Sequence, residues 1–154
     1  MDQVLYRKYR PRAFSEVVEQ QHVTRTLSNA LKMGKTAHAY LFCGPRGVGK
    51  TSIARIFAKA INCEKAVNGD SCNECVNCRT IDEHKTMDII EIDAASNRGI
   101  DEIRNLQERI KHPPAHLKYK VFIIDEVHMM TQGAFNALLK TLEEPPAHAV
   151  FLFA

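Results

Sequence analysis

The sequence lacks the marks of membrane, secreted and repetitive proteins. No apolar run is long enough to span a bilayer, and no charged segment followed by an apolar one opens the chain as a secretory leader would. We therefore expect a cytosolic protein with no membrane partner. Internal repeats and low-complexity segments are absent, and a formal net charge of +3 is too small to argue by itself for nucleic-acid binding.

What remains is an ordinary globular composition. The chain has 154 residues, of which 45% are hydrophobic and 25% charged, enough for one domain with a real core. Short apolar runs predict strands, and segments of helical periodicity lie between them. This alternation predicts an α/β fold whose parallel sheet is flanked by helices. The predicted strands cover about 39–43, 88–93, 121–124 and 149–154.

Two details of this prediction concern the last third of the chain. A helix capped by Thr131 is expected to bury Phe135, Leu138, Leu139 and Leu142. The last strand runs to residue 154 with no cap or turn after it. We therefore expect a truncated sequence, in which residues 1–154 form one nucleotide-binding domain that is incomplete after its fourth strand.

Residues 44–51 match the phosphate-binding loop pattern G-x-x-x-x-G-K-T, between a predicted strand and a predicted helix. The glycines let several backbone N–H groups face one concavity, and the helix adds the positive end of its dipole. Lys50 can then reach the outer phosphates, and the Thr51 hydroxyl can ligate Mg²⁺. The predicted nucleotide-binding residues are Gly44, Pro45, Arg46, Gly47, Val48, Gly49, Lys50, Thr51 and Ser52.

Two carboxylates, Asp125 and Glu126, follow the third predicted strand, at the end where ligands collect in such sheets. Asp125 is predicted to hold Mg²⁺ or its waters, and Glu126 to orient and deprotonate the attacking water. With Lys50 they form the predicted catalytic set. The predicted reaction is hydrolysis of ATP, since no guanine-reading motif is evident. For His128, which completes D-E-x-H, sensing of the γ-phosphate and simple packing both remain open.

Four cysteines, Cys63, Cys72, Cys75 and Cys78, follow the spacing C-x8-C-x2-C-x2-C. The residues 63–78 have few apolar side chains, so a structural zinc ion would supply the folding energy of this insertion. An iron–sulfur cluster is the first alternative, but the following Cys-Pro of the bacterial pattern is missing. Disulfides are disfavoured in the expected compartment. Cys43 is predicted to be a buried core thiol.

Several of these strings together resemble AAA+ clamp loader ATPases. They are Tyr9-Arg10-Pro11 with Phe14, residues 38–42, the phosphate loop, Asp125-Glu126-Val127-His128 and residues 136–146. The four-cysteine insertion narrows the resemblance to the γ/τ subunits of bacterial DNA polymerase III. The resemblance implies an ATPase that acts with other clamp loader subunits in DNA replication. The resemblance implies further that this ATPase opens a sliding clamp and loads the clamp onto primed DNA, in the bacterial cytoplasm and at the nucleoid during replication.

The resemblance also implies residue roles that composition and spacing do not. Arg10, Pro11 and Val18 are expected near the adenine, ATP and Mg²⁺ at the loop, and zinc at the four cysteines. Glu19 stands where the family usually has glycine. Family members continue into an arginine finger that acts on a neighbour's ATP, so we expect slow hydrolysis by this segment alone.

Two other function classes remain as alternatives. The D-E-x-H string is also typical of helicase-like or recombination motors. A zinc-organised module that binds ATP without hydrolysing it is the second, although the intact Lys50, Thr51, Asp125 and Glu126 argue against it. Contacts with DNA and the sliding clamp are guessed at Arg98 and at residues 110–114.

Overall fold

The computed structural model describes residues 9–44, 49–96 and 99–154. Its centre is a four-stranded, all-parallel sheet in the order β1-β4-β3-β2. The strands are β1 (Ala39–Leu41), β2 (Ile89–Asp93), β3 (Lys120–Asp125) and β4 (Ala149–Phe153). The predicted α/β class with a parallel sheet is confirmed.

The described ranges contain five α-helices. They are α1 (Gln21–Lys32), α2 (Lys50–Asn62), α3 (Val76–Asp82), α4 (Ile100–Lys111) and α5 (Gln132–Glu143). Four of them pack on the two faces of the sheet, and the short α3 packs on α2. Successive residues of β3 divide between two core clusters: Val121 and Ile123 pack with α1 and α2, whereas Phe122 and Ile124 pack with α4 and α5. The central strands are therefore apolar on both faces, as parallel strands between helix layers should be.

The strand order brings the ends of β1 and β3 to the same edge of the sheet, with β4 between them. The N–H of Phe42 donates to the carbonyl of Phe153 at 2.8 Å, and that of Ala154 donates to the carbonyl of Ile124 at 3.0 Å. Two strand spacings separate the ends of β1 and β3 by about 10 Å. From β1 the chain crosses to β2 at the far side of the sheet, and ligands of such sheets bind at the carboxyl ends of the strands.

The prediction that four large side chains of α5 are buried was partly wrong. Leu138 is buried, but Phe135 and Leu139 remain 38% and 41% exposed. The helix rests on α4 and the sheet along a narrower stripe than its apolar sequence allows. In the described ranges, no helix is both long and apolar enough to cross a bilayer.

Candidate nucleotide and metal sites

Both flanks of the phosphate loop are described, and its residues 45–48 lie outside the described ranges, so the predicted contacts of Pro45, Arg46, Gly47 and Val48 have no structural account. Gly44 and Gly49 have φ of 145° and 82°, which favour glycine. The Lys50 ammonium donates to the Gly44 carbonyl at 2.9 Å, so the two flanks of the loop are joined.

The helix after the loop begins without a side-chain cap. Its first residue is Lys50, and its N-cap residue Gly49 has no side chain to accept the first N–H groups. Thr51 and Ser52 follow in the first turn, half-buried. Uncapped N–H groups at a helix start, with a lysine beside them, fit the phosphates of a nucleotide.

A cavity of about 230 Å³ lies next to this helix start. Its walls include Val23 and Leu27 of α1, Phe42 after β1 and Ile53 of α2, and Lys50 also lines it. The cavity therefore joins an apolar space to the phosphate-loop lysine. This arrangement fits a ligand with a flat apolar part and a charged part.

The residues expected near the adenine lie on the segment that leads into α1. Arg10 and Val18 are exposed, Val18 to 87%, and Pro11 is half-buried. The segment turns at Gln20, whose φ of 66° is left-handed. The turn therefore falls one residue after Glu19, and Glu19 is the position at which the resemblance expects a glycine.

Asp125 ends β3, and its carboxylate accepts the N–H of Glu126 at 3.0 Å. Glu126 has φ 56° and ψ 42°, an unusual conformation for a residue with a side chain that costs about 1–2 kcal/mol. The imidazole of His128 lies 3.2 Å from its carboxylate. His128 therefore contacts the predicted water-activating residue, although it is itself 65% exposed at the side chain.

The sequence reasoning missed one ion pair at this edge of the sheet. Arg55, one turn into α2 after Thr51, donates from Nε and Nη2 to the two carboxylate oxygens of Glu91 on β2, the second at 2.8 Å. That hydrogen bond is the main reason that the pKa of Arg55 is raised; burial opposes it, and Asp125 adds to it. Arg55 therefore ties the loop helix to β2 at Glu91, which is in register with Ile123, two residues before Asp125. A carboxylate inside an apolar strand was the only signal.

The four predicted metal ligands converge. The sulfur atoms of Cys63, Cys72, Cys75 and Cys78 all lie within 4.8 Å of one another. The Sγ–Sγ distances are 3.9 Å for Cys63–Cys75 and 4.0 Å for Cys72–Cys78. A tetrahedral zinc ion with Zn–S bonds of about 2.3 Å needs sulfurs about 3.8 Å apart, so the cluster fits zinc.

Backbone N–H groups favour thiolates in this cluster. The N–H groups of Glu74 and Cys75 donate to the Cys72 sulfur at 3.4 and 3.3 Å and are the main reason that the pKa of Cys72 falls to about 6. Burial instead raises the pKa of Cys63 and of Cys78. All five cysteines are free, so no disulfide competes in the described chain. A zinc ion bound by all four sulfurs would keep them deprotonated.

The fifth cysteine is not the predicted core thiol. Cys43 is exposed, because β1 ends at Leu41 and Cys43 lies in the connection to the phosphate loop. Arg98, a guessed contact for phosphate or for partners, lies outside the described ranges.

Comparison with protein families places the chain in a replication context. The family model described as DNA polymerase III, delta subunit, matches residues 19–154. The tau subunit of DNA polymerase III from Bacillus subtilis (strain 168) is 59% identical over 152 residues, which cover 99% of this chain and 27% of the relative. The tau subunit from Escherichia coli (strain K12) is 53% identical, with 99% and 24% covered. The chain thus spans about a quarter of the length of these curated relatives.

Solved structures share the fold at lower identity. A DNA polymerase III gamma subunit-related protein from Thermotoga maritima aligns with a TM-score of 0.50 and 23% identity, over 88% of this chain and 38% of that one. The RuvB Holliday junction branch migration motor of the same organism aligns with a TM-score of 0.58 and 18% identity, over 94% and 40%. At these identities the likeness concerns the fold alone.

Proposed function

The chain belongs to the family described as DNA polymerase III, delta subunit, and from this we propose that it is the ATP-binding and ATP-hydrolysing domain of a replicative clamp loader. One observation carries the proposal: the sheet brings the helix start at Lys50 and the carboxylates Asp125 and Glu126 to one edge. The identity of 53–59% to tau subunits supports the clamp loader over a RuvB-like motor, to which only the fold is similar.

The proposed roles at the nucleotide follow the charges of the site. Lys50 and the N–H groups of residue 44 and of residues 46–52 bind the phosphates. The Thr51 hydroxyl and Asp125 would hold Mg²⁺, whose charge would neutralise that of the phosphates. Glu126 accepts a proton from the attacking water, and the contact with His128 orients its carboxylate. Arg10, Pro11 and Val18 cover the base from the segment before α1.

The four cysteines hold a structural zinc ion within a 63–78 insertion of the 1–154 domain. Four sulfur ligands leave no open position, so the ion supplies cohesion to a segment with few apolar residues. The working partners are other clamp loader subunits, a sliding clamp and primed DNA. The protein acts in the cytoplasm, at the nucleoid during replication, as the relatives' role in DNA polymerase III suggests.

The test begins with ATP binding by calorimetry in the presence of Mg²⁺. We expect Lys50→Ala to lower the affinity at least tenfold, because the charge nearest the phosphates is lost. We expect Glu126→Gln to bind ATP normally and to lose turnover in the assembled clamp loader, with the exposed Glu144→Gln as the matched control. Failure of the wild-type chain to bind ATP, or full turnover by Glu126→Gln, would refute the proposal.

The zinc site is tested by metal analysis of protein purified without added metal. One zinc ion per chain is expected, and Cys75→Ser should release it because one sulfur of the set is lost. Iron in place of zinc, or no metal, would contradict the assignment.

Hydrolysis by the chain alone is a separate measurement. We expect slow turnover, with a large increase on assembly, because a neighbouring subunit's arginine completes such sites. A turnover that is the same alone and in the assembly would show that the site is complete within one chain. Stimulation by the clamp together with primed DNA distinguishes a clamp loader from a branch migration motor.

A further inference from the structure

A carboxylate of the cysteine insertion holds the segment before α1. Asp70 accepts the N–H of Phe14 at 3.0 Å on one oxygen and the N–H of Ser15 at 3.1 Å on the other. Its first oxygen also accepts the N–H of Ser71 at 2.9 Å. Phe14 and Ser15 belong to a 3-10 turn, Phe14–Glu16, so Asp70 binds the start of this turn across 55 residues of sequence.

The insertion is also pressed against α1 at this point. Val67 and Asp70 exchange two backbone hydrogen bonds of 3.0 Å, which form a tight turn. Gly69 within it has φ +71°, and a Cβ there would lie 2.1 Å from the carbonyl oxygen of Ser28 in α1. Asp70 is therefore fixed from two sides: by this close contact, and by Cys72, two residues later, in the metal cluster.

The turn that Asp70 holds supports the cavity beside the phosphate loop. Phe14 is 5% exposed and belongs to the same core cluster as Leu27, Phe42 and Ile53. These three side chains line the cavity of about 230 Å³ that also contacts Lys50. Asp70, two residues from Cys72, is thus hydrogen-bonded to the turn, and one core cluster contains both Phe14 of the turn and three residues of the cavity wall.

We propose that Asp70 is a positioning residue that couples metal occupancy of the four-cysteine cluster to the affinity of the cavity for the base of a nucleotide. A metal bound by the four sulfurs would hold Cys72 and hence Asp70. Asp70 holds the turn whose Phe14 shares a core cluster with residues of the cavity wall. The nucleotide part of this inference rests on the proposed function, whereas the anchoring of the turn does not.

The coupling acts on one part of the ligand. The phosphate side of the site is built by α2 and the Lys50–Gly44 contact, whereas the hydrogen bonds of the Asp70 carboxylate go to Phe14, Ser15 and Ser71. Through Phe14 the turn instead shares a core cluster with Leu27, Phe42 and Ile53, which line the apolar part of the cavity. Loss of Asp70 should therefore weaken a ligand with a base and spare a ligand that consists of phosphates only.

The experiment uses the zinc-loaded full-length protein with Asp70→Ala, and Glu74→Ala as the control. Glu74 is an exposed carboxylate that adjoins Cys75, so the control removes the same charge from the same insertion. Affinities for ATP and for inorganic tripolyphosphate are measured by calorimetry, zinc content by metal analysis, and hydrogen exchange by mass spectrometry of peptides covering residues 13–18.

If the turn of Asp70→Ala is ordered in about one molecule in ten, we expect this variant to bind ATP about tenfold more weakly than wild type, because the apparent affinity falls with the fraction of ordered molecules. Tripolyphosphate affinity should stay within about twofold of wild type, and zinc content should be unchanged. Exchange at residues 13–18 should accelerate, and Glu74→Ala should match wild type throughout. Asp70→Glu, which keeps the carboxylate, should recover part of the ATP affinity.

Chelation of the metal provides the second arm. Removing zinc from the wild type should accelerate exchange at residues 13–18 about as much as Asp70→Ala does, and removing it from Asp70→Ala should add little. Equal and additive effects would show that the metal and Asp70 act independently and would overturn the coupling.

Other results also overturn the inference, and they point to different steps. Unchanged exchange in Asp70→Ala refutes the anchoring of the turn. Faster exchange with unchanged ATP affinity refutes its link to the cavity. Equal weakening of ATP and tripolyphosphate indicates a general loss of structure. If the wild type binds tripolyphosphate but no ATP, the proposed function fails, and exchange alone then decides the anchoring.

Discussion

Asp88 offers the sharpest test of how the loop between α4 and β3 is held. Its buried carboxylate, 2% exposed, accepts the N–H groups of Ala115, His116 and Leu117 at 2.7, 2.8 and 2.9 Å. The backbone carbonyl of Asp88 also accepts the N–H of Val121 at 2.8 Å. One residue thus joins the start of β2 to the loop that delivers β3, and β3 ends at the candidate site.

The substitution Asp88→Asn keeps the shape and removes the charge. The new amide has one acceptor oxygen, so N–H groups that face the other oxygen now meet an NH₂ group. A hydrogen bond to a charged group contributes about 1.5–3 kcal/mol. Losing one or two of the three should lower the free energy of unfolding by about 2–4 kcal/mol, a large part of an ordinary total. The melting temperature should fall by about 10 °C.

The pKa of Asp88 predicts how this loss depends on pH. Burial alone would raise the pKa, but the N–H groups of Leu117, Ala115 and His116, with the His116 side chain, hold it below the usual value. The carboxylate therefore stabilises the fold above its unfolded pKa, about 3.9. That stabilisation disappears as the pH falls through the lower folded value. The gap between wild type and Asp88→Asn should be constant from pH 6 to 8 and shrink below about pH 4.

Urea unfolding followed by circular dichroism measures the difference in the free energy of unfolding between wild type and Asp88→Asn. At neutral pH the buffer contains enough zinc to saturate the protein. The control is Asp101→Asn, whose side chain is 85% exposed and lies 3.8 Å from Arg104; it should stay within about 0.5 kcal/mol of wild type. An Asp88→Asn protein as stable as the control at pH 7 would refute the reasoning. So would a gap that widens as the pH falls.

Three further experiments test the contacts of the helices. Asp82→Ala should lower the free energy of unfolding by about 2–4 kcal/mol, and by more than Lys59→Met does. The reason is that the Lys59 side chain is 3% exposed against 29% for Asp82, so Asp82→Ala leaves a buried ammonium without its partner. A double-mutant cycle in urea measures both costs, and equal costs would contradict the prediction. Gly69→Ala should cost more than about 1 kcal/mol in the same assay, because its φ is +71° and the added Cβ meets backbone at 2.1 Å; a neutral effect would mean that the insertion moves freely on α1. Thr131→Ala should cost about 1 kcal/mol of thermal stability, because its hydroxyl caps α5 at 3.3 Å, and an unchanged melting temperature would show that solvent replaces the cap.

Much of the candidate site could be predicted because its signals are local. The strand, loop and helix around residues 44–51 follow from glycine spacing and apolar periodicity, and the observed α2 starts at Lys50. The four cysteines could be predicted to converge, since ligand spacing is dictated by the coordination of one ion. Predicted strands and observed strands agree within a few residues for the same reason.

The wrong predictions concern side chains whose burial depends on how neighbouring elements pack. Periodicity says which face of α5 is apolar, but the width of the buried stripe depends on its neighbours, so Phe135 and Leu139 stay exposed. The apolar run predicts Cys43 as part of the strand. A residue belongs to β1 only where it pairs with β4, however, and this pairing ends at Leu41, so Cys43 is exposed.

The sequence alone determined that a parallel α/β sheet carries a loop of the phosphate-binding pattern, two carboxylates and a four-cysteine insertion, because each feature is recognised from residues that are close in sequence. Tertiary structure alone decided which distant groups meet. The Arg55–Glu91 pair spans 36 residues, and Asp70 reaches Phe14 across 56. Such pairs leave no periodic trace, since a single charged residue looks solvent-exposed until the packing of the chain places its partner beside it.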